Sequence, residues 1–283
     1  MRHLDERRES NPYPWAGSRA EMDRLEMQAR VQADIISREV QILGLKRGVQ
    51  LLDAGCGTGA VTRFLAASVA PTEVCAVDMD AGYLDEARKL AERYGITNVR
   101  FDLQDIEDLK LPDQTFDVSY CRLVLYHVSD PLKAVGELKR VTKKMGVVAI
   151  VDEGGVLTYP YLTKFETLVE KRGRWWNSLR TRESQNYRNA YSVLSAAGLS
   201  PIEVNPIPTF ASQESPEKLR QLVSVPLKRL EIDKEPMIAN GFVTEQEYVD
   251  GIEELKSFPD NPSAFWMLLS VLTIGACTSM KTD

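Results

Sequence analysis

The sequence predicts an α/β fold built on a doubly wound, mostly parallel sheet. Short apolar runs alternate with amphipathic stretches over residues 50–154, the pattern of strands joined by crossover helices. The first run breaks into a glycine-rich turn, "LLDAGCGTGAV" at 51–61, where a strand gives way to a helix. The second, "EVCAVDMD", carries Asp78 at its end, where an open sheet presents ligand-binding acids.

Taken in order, "NPYPW" at 11–15 is extended by its two prolines. Ser18 and Glu21 have the spacing of a capping box. The helix after them carries Met22, Leu25, Ala29, Ile36, Val40 and Leu43 on one face. "VQLLDAG" is the first strand, and the helix beyond the turn runs to about Ala70. "EVCAVDMD" is the second strand, followed by a helix ending at Gly95. "NVRFDLQD" is the third, and "FDVSYCRLVLYHV" holds the fourth. Asp130 caps and Pro131 opens the next helix, and "VVAIVDEG" is the fifth strand. The alternation then changes. Residues 159–198 read as two helices, the second ending at Gly198, and "SPIEVNPIP" reads as a sixth strand. Residues 215–258 are helical, with Pro216 marking a start and Pro226 a kink, and "AFWMLLSVLTIGAC" closes as the last strand.

At 283 residues, with 43% hydrophobic and 27% charged residues, the chain has room for one large domain with a substantial insertion. A net charge of −6 gives no general attraction to nucleic acid or an anionic membrane. The start, "MRHLDERRES", lacks the apolar core of a signal peptide. The last apolar run is short of the roughly 20 residues of a membrane span. Four cysteines without a CxxC pair fit reduced thiols in the cytoplasm. With His3 and His127 as the sole histidines, no metal site is expected.

Three ligands compete for the turn. A P-loop fails, because Gly59 is followed by Ala60 and Val61 rather than Lys and Ser or Thr. A dinucleotide fingerprint is formally satisfied by Gly55, Gly57 and Ala60, with Asp78 as its ribose acid. The remaining motifs favour a third ligand. Over residues 50–153 the chain resembles the class I S-adenosylmethionine (SAM) methyltransferases. The resemblance rests on "LLDAGCGTGAV", on "VCAVDMD", on "LQDIEDLKLPDQTFDVSYCRLVLYHVSDP" and on "LKRVTKKMGVVAIVD". In flavour it is similar to the small-molecule enzymes of ubiquinone and menaquinone biosynthesis. It departs at Met145, where the family has a proline before Gly146.

The resemblance implies a Rossmann-like, seven-stranded sheet, mostly parallel with the last strand antiparallel, plus helical cap insertions. Residues 1–45 become an arm and helix covering the site, 46–158 the cofactor-binding core, and 159–283 the last strands with cap segments 159–180 and 212–260. It also implies SAM as cofactor and S-adenosylhomocysteine as product. Gly55, Cys56 and Gly57 then approach the methionine moiety, and Asp53 faces its ammonium end. Asp78 accepts from both ribose hydroxyls, Met79 and Ile106 flank the adenine, Asp105 accepts from its amino group, and the Cys121–Arg122 backbone borders the methionine tail.

Each residue also has a plainer reading. Asp53 caps the turn, Asp78 starts a helix, Asp105 is a loop acid, and Met79 and Ile106 are core. His127 is the single histidine placed to act as a base, against a rim position with its ring bonded to backbone. Tyr13, Trp15, Tyr126, Trp175 and Trp176 are candidates for the acceptor pocket. "KRGRWWNSLRTR" at 171–182 offers either an anion-binding patch or a solvated helix face with inward tryptophans, and the charge of −6 favours the face. The expectation is a small-molecule methyltransferase acting on oxygen, nitrogen or carbon, without nucleic acid, and with a homodimer as the expected assembly. An RNA or protein methyltransferase, a nicotinamide-dependent oxidoreductase and a SAM-binding protein that transfers no methyl are the alternatives.

Overall fold

The computed structural model describes Trp15 and residues 17–180 and 189–278. Tyr13 and Arg182 lie outside them. Seven strands form one sheet in the order β3-β2-β1-β4-β5-β7-β6. β1 (Leu51–Ala54), β2 (Val74–Asp78), β3 (Val99–Leu103) and β4 (Phe116–Arg122) are parallel, and β4 pairs in parallel with β5 (Thr142–Tyr159). β7 (Phe265–Ala276) runs antiparallel to both β5 and β6 (Ile202–Ser212). The order reverses at β1, so the loops after β1 and β4 open a crevice at the carboxyl edge.

The helices in chain order are α1 (Arg19–Val31), α2 (Ala33–Ile42), α3 (Thr62–Val69), α4 (Ala81–Arg93), α5 (Pro131–Val141), α6 (Thr163–Ser178), α7 (Ala190–Ala196), α8 (Pro216–Ala239) and α9 (Glu245–Ser257). Asp130 caps α5 by accepting from Lys133 N at 3.0 Å, and Gly95 ends the turn after α4 at φ 68°. Pro206 and Pro208 fall on β6, an edge strand whose outer side needs no N–H donors.

Three local expectations are corrected. The first helix is two, because the chain breaks at Gln32 (φ −97°, ψ 16°). The capping box is half made: Ser18 Oγ accepts from Glu21 N at 3.4 Å, but Ser18 N donates to the Trp15 carbonyl at 2.9 Å. Glu21 instead turns inward and is fully buried. The fifth strand does not stop at Gly154. It continues to Tyr159 through a bulge between Glu153 and Gly155, where Gly154 packs so closely that a Cβ would lie 2.9 Å from Leu269 Cγ. A Gly-Gly pair that reads as a strand end is thus a bend within a strand. Past it, β5, β7 and β6 form an antiparallel wall beyond the crevice.

Two hydrophobic clusters cover the two faces of the sheet, one around Leu52, Val77 and Leu138, the other around Leu51, Leu65 and Tyr120. A third belongs to the cap. It joins Trp15 to Phe165, Trp175, Leu222, Leu230, Tyr248 and Trp266. The cap helices are therefore held by a core of their own, and they roof the sheet edge rather than hang from it. Met145, at φ 71° and 80% exposed, lies within β5 where its pairing with β4 shifts register between Thr142 and Val147, and it is outside the crevice. None of the described helices is long and apolar enough to cross a membrane.

Candidate active site

A cavity of about 820 Å³ opens between the glycine turn, the β4 loop and the cap. The turn is built by backbone bonds: Gly55 N and Cys56 N both donate to the Val77 carbonyl, at 2.8 and 3.0 Å. Gly55 has φ 79°, and a Cβ there would overlap the Val124 side chain. Glycine therefore serves both the left-handed conformation and the close approach of the β4 loop.

Two carboxylates stand beside the turn, Asp53 buried and Asp78 half-buried. Asp78 spans it, its Oδ2 accepting from Gly57 N at 2.8 Å and its Oδ1 from Asp80 N at 2.9 Å. Burial pushes Asp78 up to about 6 against those backbone bonds. Asp53, 3% exposed, accepts from Thr62 Oγ1 at 2.6 Å through Oδ2. Burial, and the neighbouring Asp78 charge, push Asp53 up to about 7 against the Thr62 bond. Among the described residues Asp53 Oδ1 has no hydrogen-bond partner. Each oxygen of an ionised carboxylate accepts twice, so both acids keep acceptor sites for a ligand.

Gly55, Cys56, Gly57, Met79, Asp105, Ile106 and Arg122 line the same cavity. Asp105 Oδ1 caps the next turn from Glu107 N at 2.8 Å, and Oδ2 carries no protein partner. Met79 is left 41% exposed on the rim. Burial and the Asp78 charge hold the Cys56 thiol protonated, well above its usual range. The Cys121 side chain lies in the core, 0% exposed, and is not among the cavity-lining residues, so its part in the expected site rests on its backbone beside Arg122. Alternate side chains of a strand face opposite sides. Arg122 Nη2 donates to Gln32 Oε1 at 2.8 Å, and its Nε faces Glu39 at 3.3 Å, with the Tyr120 hydroxyl on the other side of the same carboxylate. Glu39 thus ties α2 to β4.

Of the acceptor-pocket candidates, Trp15, Tyr126, His127 and Trp176 line the cavity. Trp15 stacks on Trp176, with centroids 5.0 Å apart, while Arg229 lies 4.4 Å over its ring. Trp175 does not reach the cavity; 3% exposed, it meets Trp15 edge-on from behind. His127 packs against Tyr126 and edge-on against Trp176, at 4.2 and 5.0 Å. Burial, and then Arg229, Arg24, Arg172 and Arg180, hold its imidazole well below the usual range.

The segment 171–182 is a solvated face only in part. Arg174 is exposed beside Glu170, whereas Arg172 turns inward onto buried Asp233. Sequence reasoning missed Thr62, Arg24 and Arg229; Arg172 entered only with the 171–182 stretch, whose anion-binding reading was the less favoured one. Thr62 opens the helix after the turn and was legible from its place; the arginines come from three distant segments and had no shared local signal.

The family described as "Methyltransferase domain" matches residues 45–194. This chain belongs to that family. It is 33% identical over 138 residues to an uncharacterised methyltransferase of Schizosaccharomyces pombe, covering 46% of this chain and 50% of the relative. It is 29% identical over 151 residues to the ubiquinone/menaquinone biosynthesis C-methyltransferase of Stutzerimonas stutzeri, covering 53% and 59%. The chain spans about half the length of the curated relatives it matches. The solved structure of the YcgJ protein of Bacillus subtilis shares the fold, with a TM-score of 0.54 at 20% identity, covering 86% of this chain and 98% of that one. The methyltransferase family and the mostly parallel seven-stranded sheet expected from the motifs are those found.

Proposed function

We propose that this methyltransferase-family chain transfers a methyl group from SAM to a small-molecule acceptor bound under the cap. One observation carries the reading: two carboxylates, the buried Asp53 and the half-buried Asp78, keep acceptor sites on the same roofed cavity at the glycine turn. Asp78 would serve a ribose in either ligand, but a dinucleotide would bring its pyrophosphate over the glycine turn beside Asp53 and meet like-charge repulsion there. A ligand with a cationic end and ribose hydroxyls meets attraction instead.

The residues present fit SAM. When bound, it supplies an activated methyl group on a sulfonium. Asp78 accepts from the ribose hydroxyls while its bonds to Gly57 and Asp80 hold it in place. Asp53 Oδ1 faces the ammonium group. Met79 and Ile106 flank the adenine, and Asp105 Oδ2 accepts from its amino group. The cap walls, among them Trp15, Trp176, Phe165 and Trp266, exclude water and align the acceptor. His127 stays neutral, and the surrounding arginines oppose its taking a proton, so it shapes the pocket rather than acting as the base. The acceptor's proton, where one must leave, then passes to solvent or to a group on the acceptor itself.

Incubation with SAM and a metabolite panel, read as acceptor-dependent release of S-adenosylhomocysteine, tests this. Release with at least one small molecule is the expected result. Release only with RNA or protein, or none with any acceptor, overturns it.

A further inference from the structure

Three arginines from distant segments meet at the cap end of the cavity: Arg24 from α1, Arg172 from α6 and Arg229 from α8. Two fully buried carboxylates hold them. Glu21 accepts from Arg24 Nε and Nη2 at 2.8 and 2.7 Å, and from Arg229 Nη2 at 2.6 Å. Asp233 accepts from Arg172 Nε and lies 3.8 Å from Arg229 Nη1. Burying such ions costs several kcal/mol each, which makes the chain a poor device for stability alone. It does fix guanidinium groups in orientation.

Arg172 is the informative member. Asp233 engages it through Nε only, so among the described residues neither terminal nitrogen has an acceptor. Its side chain is 26% exposed, and it lines the cavity. Glu166 of the same helix also lines the cavity, yet forms no ion pair with it. A guanidinium anchored on one edge presents its other edge as a two-pronged donor, the geometry that matches carboxylate and phosphate oxygens. Around it Phe165, Val169, Trp176 and Leu230 give an apolar wall.

We propose that the methyl acceptor carries an oxyanion, a carboxylate or a phosphate monoester, on an apolar body, and that Arg172 binds that group. The inference rests on the methyltransferase reading, because it names the acceptor's chemistry. It places the charged end at the cap and leaves the apolar body between Trp176 and the glycine turn. Arg229, Arg24 and Arg172 also act on His127, whose imidazole burial and these charges hold below its usual range.

The test uses the full chain and tryptophan fluorescence, with and without S-adenosylhomocysteine. The probes are 4-hydroxybenzoate and phenyl phosphate, each against a neutral counterpart, 4-hydroxybenzamide and phenol. The acids should bind at least ~10-fold tighter than their neutral counterparts, as hydrogen bonds to charged groups imply. Comparing the two acids shows which oxyanion the pocket prefers. Arg172→Gln, which can still donate to Asp233, should bring acid and neutral probe together. Arg172→Lys keeps the charge without the fork and should lose several-fold in acid binding, which provides a second variant if the first folds poorly. Equal binding of acid and neutral probes, no binding of any probe, or a ratio unchanged in both variants overturns the proposal. Homocysteine-product binding is measured on the same samples. Its absence with the acid preference intact counts against the cofactor and not against Arg172.

Discussion

Asp78 joins the two sides of the glycine turn through a single carboxylate, so its removal affects both the ligand and the loop. Asp78→Ala should weaken SAM binding by about 2–3 kcal/mol, the loss expected for charge-assisted bonds to two hydroxyls. Titration calorimetry checks this, and an unchanged affinity would remove Asp78 from the site. His127 leads to the opposite expectation. Burial and four arginines keep its imidazole neutral and weakly basic. His127→Ala should therefore lower turnover by less than the ~100-fold typical of a lost general base. A larger fall with SAM affinity intact would make it the base. Both carboxylates and the histidine were legible in the sequence, because the glycine turn, the strand ends and the loop after β4 fix their positions locally. Trp175 falls one helix position from Trp176, and that step decides between core and cavity.

Between elements, the Glu39 carboxylate is the tie from α2 to β4. It is fully buried and holds both Arg122 and the Tyr120 hydroxyl. Glu39→Ala leaves the Arg122 guanidinium without its buried counter-ion and should cost about 3–5 kcal/mol. Urea unfolding monitored by circular dichroism measures it; a loss under ~1 kcal/mol would mean that the network is no more than a surface pair. This tie, like the bulge in β5 and the break at Gln32, was not legible in the sequence. Periodicity reports which face of an element is apolar, but not which distant element meets it. The strands and crossover helices were legible because each is specified within about ten residues, by apolar runs, caps and glycine stops.

Across the fold, the glycine-turn end of the cavity carries Asp53 and Asp78, and the cap end carries Arg24, Arg172 and Arg229 held by Glu21 and Asp233. The acid end makes the free protein pH-sensitive. Asp78 and Asp53 ionise near 6 and 7 in the folded chain, against about 3.9 for an unperturbed aspartate. From pH 4 to 7 the unfolded chain thus gives up protons that the folded one keeps, and these two groups lower stability as pH rises through that window. A cationic ligand with hydroxyl donors favours the ionised acids and reverses the sign: its affinity rises with pH over the same range, with release of protons.

Calorimetric titration of the full chain with S-adenosylhomocysteine and with NADH, at pH 6 in two buffers of different ionisation enthalpy, therefore bears most directly on the cofactor. Tight binding of S-adenosylhomocysteine with net proton release, and no binding of NADH, is the predicted result. Binding of NADH without S-adenosylhomocysteine, or S-adenosylhomocysteine binding that Asp78→Ala leaves untouched, would contradict it.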